Sequence, residues 1–335
     1  MQEDTWLRPK LLDLAARGAH LGRMDSPIPI LVVTGQTAGG KERLAVEMAW
    51  RLGGEVLSAD SMKVYRGMDI GTAKATAEQR RAVPHHLLDV ADPDETFSAA
   101  RWARAADALI LDIHARGRVP VVSGGTPMYL KALLEGLFDG PEADAAIRSR
   151  LGAEAAARGT PAVHDRLAKI DPVAAARIHP NDLRRITRAL EVWELTGSPI
   201  SELQKQWGSR RPVYRPLVAA IRRDREDLTR RIDKRVRRMM AEGLVEETRR
   251  LLARPEGLAR GPRQALGYAE VLEFLEGRLP EEDLVPAIVA HTRQFARRQM
   301  TWLGRFEGIV WLDAAPDATT DALADRVLAL WRGQV

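Results

Sequence analysis

The residues Gly35-Gln-Thr-Ala-Gly-Gly40-Lys41 fit the first seven positions of the phosphate loop, G-x-x-x-x-G-K, and fall between a strand-like run and a helical pattern. Glycines let the backbone fold so that successive N–H groups face an anion at a helix N-terminus, and Lys41 adds a positive charge for terminal phosphates. The eighth position is normally a Ser or Thr whose hydroxyl ligates magnesium; here it is Glu42. A carboxylate about 4 Å from a phosphate oxygen costs roughly 1 kcal/mol in water-like surroundings and about 4 at an effective dielectric near 20. Three readings of Glu42 stay open: a direct magnesium ligand, a tolerated departure that complements the positive end of its helix, or an impaired site.

Other chemistry-bearing residues follow strand-like runs. Asp60 follows the second run and can accept a proton in the ligand crevice at the C-terminal ends of a parallel sheet, or simply cap the next turn. Gly124-Gly-Thr126 ends another run and offers close backbone approach and a hydroxyl. His85-His86 invites a metal reading, but adjacent strand residues face opposite ways, so a structural role is expected. Arg184, Arg185 and Arg188 follow the helix cap Asn181-Asp182 and form either a phosphate-gripping stripe or a solvated surface. Nine basic residues stand against four acidic ones between Arg222 and Arg238, and four Arg without an acid lie between Ala290 and Arg305. With Trp207, Tyr214 and Trp302 nearby, such blocks suit a polyanion such as RNA.

These residues require a scaffold that brings distant loops to one edge. Ile30–Thr34, Val56–Ala59, His86–Val90 and Val119–Ser123 read as strands, alternating with helices at Lys41–Leu52, Thr76–Ala82, Ser98–Gly117 and Thr126–Glu135. That alternation predicts an α/β fold with a parallel sheet covered by helices. From Glu142 to about Gln206 only helical periodicity is found, an insertion. A strand returns at Leu217–Ile221, then helices within Asp224–Glu276 and Pro280–Arg305, and a last strand at Ile309–Leu312. The expected domains are an N-terminal extension (1–28), a discontinuous phosphate-loop core (29–140 and 207–335) and the helical insertion (141–206).

Composition sets the outer limits. The 335 residues carry 51 basic and 46 acidic groups, and only 8 of the basic ones are Lys, an imbalance that codon bias alone can produce. The absence of cysteine excludes disulfides, thiolate metal sites and a cysteine nucleophile. Residues 1–29 lack the apolar core of a signal peptide, and no stretch approaches a membrane span, so a cytoplasmic protein is expected.

Together the motifs resemble those of tRNA dimethylallyltransferases, also called tRNA isopentenyltransferases, from about Ile30 to Asp313. The resemblance is carried by Asp60-Ser-Met-Lys-Val-Tyr-Arg-Gly-Met-Asp-Ile-Gly-Thr-Ala-Lys74, Pro84-His-His-Leu-Leu-Asp89, Gly124-Gly-Thr-Pro-Met-Tyr129, Asp171-Pro172 through His179-Pro-Asn-Asp182, Arg188-Ala-Leu-Glu-Val192, Gln264-Ala-Leu-Gly-Tyr268 and Arg297-Arg-Gln-Met-Thr-Trp302. It implies transfer of a dimethylallyl group from dimethylallyl diphosphate to the exocyclic N6 of the adenosine 3′-adjacent to the tRNA anticodon, with release of pyrophosphate. Asp60 would be the general base. Lys41, Thr126 and Arg235 would complete the catalytic set, Arg235 as the pyrophosphate-binding arginine. The loop residues Gly35, Gln36, Thr37, Ala38, Gly39, Gly40, Lys41 and Glu42 would bind the donor, with magnesium as cofactor and Glu42 as its candidate ligand.

By the same resemblance, tRNA would be contacted by Asp60, Ser61, Met62, Lys63, Thr126, Arg148, Arg184, Arg185, Ile186, Thr187, Arg188, Gln264, Ala265, Leu266, Gly267, Tyr268 and Ala269. The helical insertion would clasp the anticodon stem-loop, and the protein would act as a monomer without a membrane. Departures from the family pattern are Gln36, Gly39 and Glu42 in the loop and Ala269 where a basic residue is usual. Without cysteine, the zinc finger of some eukaryotic relatives is excluded, so the bacterial form is implied. Two other functions remain to be separated from this one: a tRNA-binding protein of the same fold whose catalysis is lost through Glu42, and a phosphate-loop small-molecule kinase.

Overall fold

The computed structural model describes residues 26–138, 140–204 and 211–334. Most of the extension expected over residues 1–28, and Trp207, lie outside them. Six strands, β1 (Ile28–Gly35), β2 (Glu55–Ser58), β3 (His85–His86), β4 (Pro120–Ser123), β5 (Tyr214–Arg222) and β6 (Ile309–Asp313), form one sheet in the order β3-β2-β4-β1-β5-β6. Every pairing is parallel, as the alternation of strands and helices predicts. The apolar runs of β1 and β5 are buried along nearly their whole length, the signature of a sheet covered on both faces.

The strand order explains how residues far apart in sequence share one edge. β4 lies between β1 and β2, with Val33 and Ser58 both in register with Ser123. The chain segments that leave these three strands, beginning at Gln36, Ala59 and Gly124, are therefore neighbours. Gly124 is required there: a Cβ on it would stand 2.1 Å from the Ala59 carbonyl oxygen.

Two elements differ from expectation. The strand expected over His86–Val90 is only His85–His86, because Leu87 and Asp89 adopt φ of 61° and 55°, which an extended strand cannot contain. Asp89 is drawn out of the sheet by Lys74 and Arg80, whose nitrogens lie 2.6 and 2.9 Å from its carboxylate oxygens. A final helix, Thr320–Arg332, was not expected. Thr319 caps it by accepting the Ala322 N–H, and its Leu323, Ala324, Val327 and Trp331 join one core with Leu44, Ala45, Met48 and Ala49 of the helix Lys41–Arg51.

The described residues of Met1–Leu134 and Arg211–Val335 form one compact unit and those of Glu135–Arg210 a second. In the first unit the Arg211 N–H donates to the Leu134 carbonyl at 2.8 Å. The Arg211 guanidinium and the Tyr214 hydroxyl both bind the Asp107 carboxylate. The second unit holds the helices Ala145–Arg158, Thr160–Ile170, Pro172–Arg177, Leu183–Thr196 and Ile200–Leu203, with no strand among its described residues. Asp144, Asp171 and Asp182 cap three of them through side-chain oxygens. Leu151, Val163, Leu167, Ile186 and Leu190 give this unit its own core.

Candidate active site

The phosphate loop is built by backbone that side chains would block. Gly35 has φ of 137°, and a Cβ there would meet the Ile221 carbonyl oxygen at 2.5 Å. The loop then closes through a Gly39 N–H to Gln36 carbonyl bond of 3.1 Å. Gly40, at φ of 104°, starts the helix Lys41–Arg51 without any side-chain cap. The N–H groups of the first helical turn thus meet no side-chain acceptor and stand ready for an anion.

Charged groups converge on this helix end. Lys41 is buried, and burial lowers its ammonium to about 8 despite the opposing pull of Glu42 and Asp60; Lys63 and Arg235 add to the lowering. Glu42 Oε1 lies 3.0 Å from Lys63 Nζ, the carboxylate side chain 31% exposed and the lysine side chain 4%. Burial works to raise the Glu42 carboxyl, but Lys63 and Lys41 outweigh it and hold it below its ordinary value. Burial pushes Arg235 down, against the attraction of Asp60 and Glu42, and its guanidinium donates to the Thr72 carbonyl at 3.2 Å. Lys41, Glu42, Asp60, Lys63 and Arg235 therefore form one electrostatic group.

Lys41, Glu42 and Arg235 line a cavity of about 1190 Å³ whose wall also carries Arg43, Lys74, Arg80, Arg223, Arg231, Lys234 and Arg238. Acidic groups on the wall besides Glu42 are Asp69, Glu242 and Asp317. The predominance of cations suits a multiply charged anion. His85 is on the wall as well; its Nδ1 lies 2.8 Å from the Val83 carbonyl oxygen and its Nε2 is buried without a partner.

Asp60, Ser61 and Thr126 are joined beside this cavity rather than in its wall. Asp60 Oδ1 accepts the Met62 N–H at 2.9 Å, and Thr126 Oγ1 accepts the Ser61 N–H at 3.0 Å. The Asp60 segment and the Gly124–Thr126 segment are thus tied together, and the Thr126 N–H adds a bond to the Ala59 carbonyl at 3.2 Å.

Two residues hold the loop that motif spacing did not single out. Gln299, on the helix Glu281–Leu303, accepts the Thr37 N–H at 2.8 Å and donates to the Gly125 carbonyl at 2.9 Å, clamping the phosphate loop to the end of β4. Arg223 follows β5, donates to the Gly39 and Ala315 carbonyls at 2.8 and 3.0 Å, and pairs with Asp227 at 3.0 Å. The available signals were the Arg297–Trp302 motif for Gln299 and the 222–238 basic block for Arg223.

The surroundings of Glu42 do not suit a divalent cation. Its carboxylate is already paired with an ammonium, the charges of Lys41 and Arg235 act on it too, and no group of three or more His, Cys, Asp or Glu able to hold a metal occurs among the described residues. Magnesium favours carboxylates, phosphate oxygens and water, and a carboxylate already paired with an ammonium is a poor ligand for it.

The residues associated with tRNA by resemblance fall in both units. In the second, Arg184 and Arg185 are exposed and Thr187 is half-buried, while the Ile186 side chain is in the core. Arg148 and Arg188 both bind the fully buried Glu191 carboxylate, at 2.7 Å each. In the first, Gln264 is exposed, Leu266 and Ala269 are half-buried, and Ala265, Gly267 and Tyr268 are buried. The Tyr268 hydroxyl donates to Glu247, whose carboxylate also accepts the backbone N–H groups of Asp69, Ile70 and Gly71. Tyr268 and Glu247 thus brace the loop that follows the Asp60 segment.

Comparison with known proteins identifies the family. Residues 63–306 match the family described as IPP transferase. The chain is 50% identical over 298 residues to a tRNA dimethylallyltransferase of Anaeromyxobacter dehalogenans, covering 89% of this chain and 98% of that protein. A full-length tRNA isopentenylpyrophosphate transferase from Bacillus halodurans superposes with a TM-score of 0.66 at 38% identity, over 92% of this chain and 98% of the other. A eukaryotic dimethylallyltransferase described as acting on tRNA gives a TM-score of 0.77 at 29% identity, over 90% of this chain and 77% of that one. The chain belongs to the IPP transferase family.

Proposed function

We propose that this protein transfers a dimethylallyl group from dimethylallyl diphosphate to the exocyclic N6 of the adenosine 3′-adjacent to the tRNA anticodon, releasing pyrophosphate. The observation that carries the reading is the convergence of the uncapped start of the helix Lys41–Arg51, Lys41 and Arg235 on one cation-lined cavity, with the Asp60 segment tied to Thr126 beside it. As the allylic C–O bond breaks, its electron pair leaves with pyrophosphate, where the loop N–H groups, Lys41 and Arg235 stabilise the charge. The N6 lone pair forms the new C–N bond, and Asp60 takes the N6 proton. Thr126 acts from its bond to the Ser61 N–H, which holds the Asp60 turn in place. The target base must leave its stack to reach this crevice.

Within this reading, residues 141–206 bind the anticodon stem-loop, chiefly through Arg184 and Arg185, and the Gln264–Ala269 segment contacts the RNA as well. A tRNA substrate places the protein in the cytoplasm, and it acts as a monomer. Among the described residues no helix is long and apolar enough to cross a membrane.

The impaired tRNA-binding reading rested on an uncompensated Glu42, and the Lys63 ammonium 3.0 Å from that carboxylate supplies the compensation. Incubating tRNA with the protein and dimethylallyl diphosphate, then digesting the RNA for mass spectrometry, tests the function. A dimethylallyl mass increment on the target adenosine is expected. Bound tRNA without that product would favour the impaired protein, and ATP consumption would favour a kinase.

A further inference from the structure

The Glu42–Lys63 pair has a geometry that a purely structural salt bridge does not need. The Lys63 side chain is almost wholly buried, and Glu42 Oε1, 3.0 Å from its Nζ, is its one ion-pair partner among the described residues. An ammonium has three N–H groups, so a single carboxylate oxygen leaves its donor capacity largely unused. Glu42 in turn keeps about a third of its side chain exposed and stands in the cavity wall, whereas Lys63 does not. The carboxylate is therefore interposed between a buried cation and the space where an anion would bind. It also sits in the first turn of the helix Lys41–Arg51, where the N-terminal dipole favours negative charge.

We propose that Lys63 is a diphosphate-binding residue and that Glu42 is its placeholder anion: the carboxylate occupies the ammonium in the empty site and yields it when the diphosphate arrives. This rests on the proposed donor and assigns Lys63 to the diphosphate rather than to tRNA. Turning Glu42 aside, away from both Lys63 and the incoming anion, exposes the ammonium beside Lys41, so that two ammonium groups and Arg235 face the anion together. The exchange replaces one carboxylate with a more highly charged ligand, and the return of Glu42 assists departure of pyrophosphate.

The placeholder makes a prediction opposite in sign to that of a positioning or stabilising carboxylate. In Glu42→Gln the buried Lys63 charge loses its partner, which destabilises the unliganded protein. An incoming anion then restores the partner and meets no carboxylate repulsion. Titration calorimetry with inorganic pyrophosphate, without tRNA and with a chelator present, reads this directly. Glu42→Gln should bind pyrophosphate about tenfold more tightly than the wild type, equivalent to ~1.4 kcal/mol. Its melting temperature without ligand should fall and its ligand-induced rise should grow.

Lys63→Gln should bind pyrophosphate about tenfold more weakly while keeping tRNA affinity, and Lys63→Arg should recover part of the loss. Weaker or unchanged pyrophosphate binding in Glu42→Gln would overturn the proposal, as would wild-type pyrophosphate affinity in Lys63→Gln. If one variant does not fold, the other decides alone. Failure of the wild type itself to bind pyrophosphate would instead count against the proposed donor.

Discussion

Asp60 and Lys41 carry the sharpest consequences at the scale of single residues. The Met62 N–H donates to Asp60 Oδ1 at 2.9 Å and so holds the carboxylate in a tight turn just after β2. Asp60→Ala should lower turnover by about 10²–10⁴-fold while tRNA binding is retained, as measured by product formation and filter binding. Near-normal turnover would remove Asp60 from the role of base. For Lys41, burial lowers the ammonium from its ordinary 10.5 to about 8. Between these values the unfolded chain binds more protons than the folded one, so this group's contribution to stability rises with pH across that window. Anion affinity runs the other way, because the charge that attracts diphosphate is lost as pH passes about 8. Pyrophosphate binding should therefore weaken between about pH 7 and about pH 9 in the wild type, and this pH step should vanish in Lys41→Met.

At the scale of elements, the loop's conformation depends on a helix contributed from near the other end of the chain. The Thr37–Gln299 bond spans 262 positions and is completed by Gln299 to Gly125. Gln299→Ala leaves the Gly125 carbonyl without this donor and the Thr37 N–H without its acceptor. Urea denaturation should show a loss of about 1–3 kcal/mol, and the KM for the donor should rise with little change in tRNA affinity. The phosphate loop itself was legible in the sequence because its chemistry is local: glycines at a strand-to-helix junction followed by a lysine. Gln299, Arg223 and the Lys63 partner of Glu42 were not, since each owes its position to pairing between distant segments that spacing does not encode. β3 shows the same limit in the fold. Its apolar and polar residues read as a strand beyond His86, yet the ion pairs of Asp89 with Lys74 and Arg80 turn the chain away. The final helix carries its own periodicity in Leu323, Val327 and Trp331, but its place in the sheet unit comes from packing against the helix Lys41–Arg51, which local spacing does not encode.

At the scale of the whole molecule, the net charge of +5 says little until its distribution is known. Cations line the phosphate cavity in the first unit, and Arg184 and Arg185 are exposed in the second. Arg148 and Arg188, in contrast, are engaged by the buried Glu191. Replacing both Arg184 and Arg185 with Ala should weaken tRNA binding at every salt concentration and reduce the slope of log affinity against log salt by about 1–2. Pyrophosphate affinity should not change. A double variant with an unaltered slope would place the RNA elsewhere.

The bond between the Arg211 N–H and the Leu134 carbonyl has a consequence for how the chain can be cut and rejoined. It stitches the two points where the polypeptide leaves and re-enters the sheet unit, so residues 135–210 are inserted between two adjacent points of that unit, a closed seam. A closed seam makes the helical segment a cassette. Excising it and joining its ends with a short glycine–serine bridge should leave a protein whose circular dichroism shows a folded sheet unit and whose pyrophosphate binding survives, while prenylation of tRNA is lost. Seen this way, donor chemistry and RNA choice can be exchanged separately, by grafting another helical segment onto the same two-residue seam.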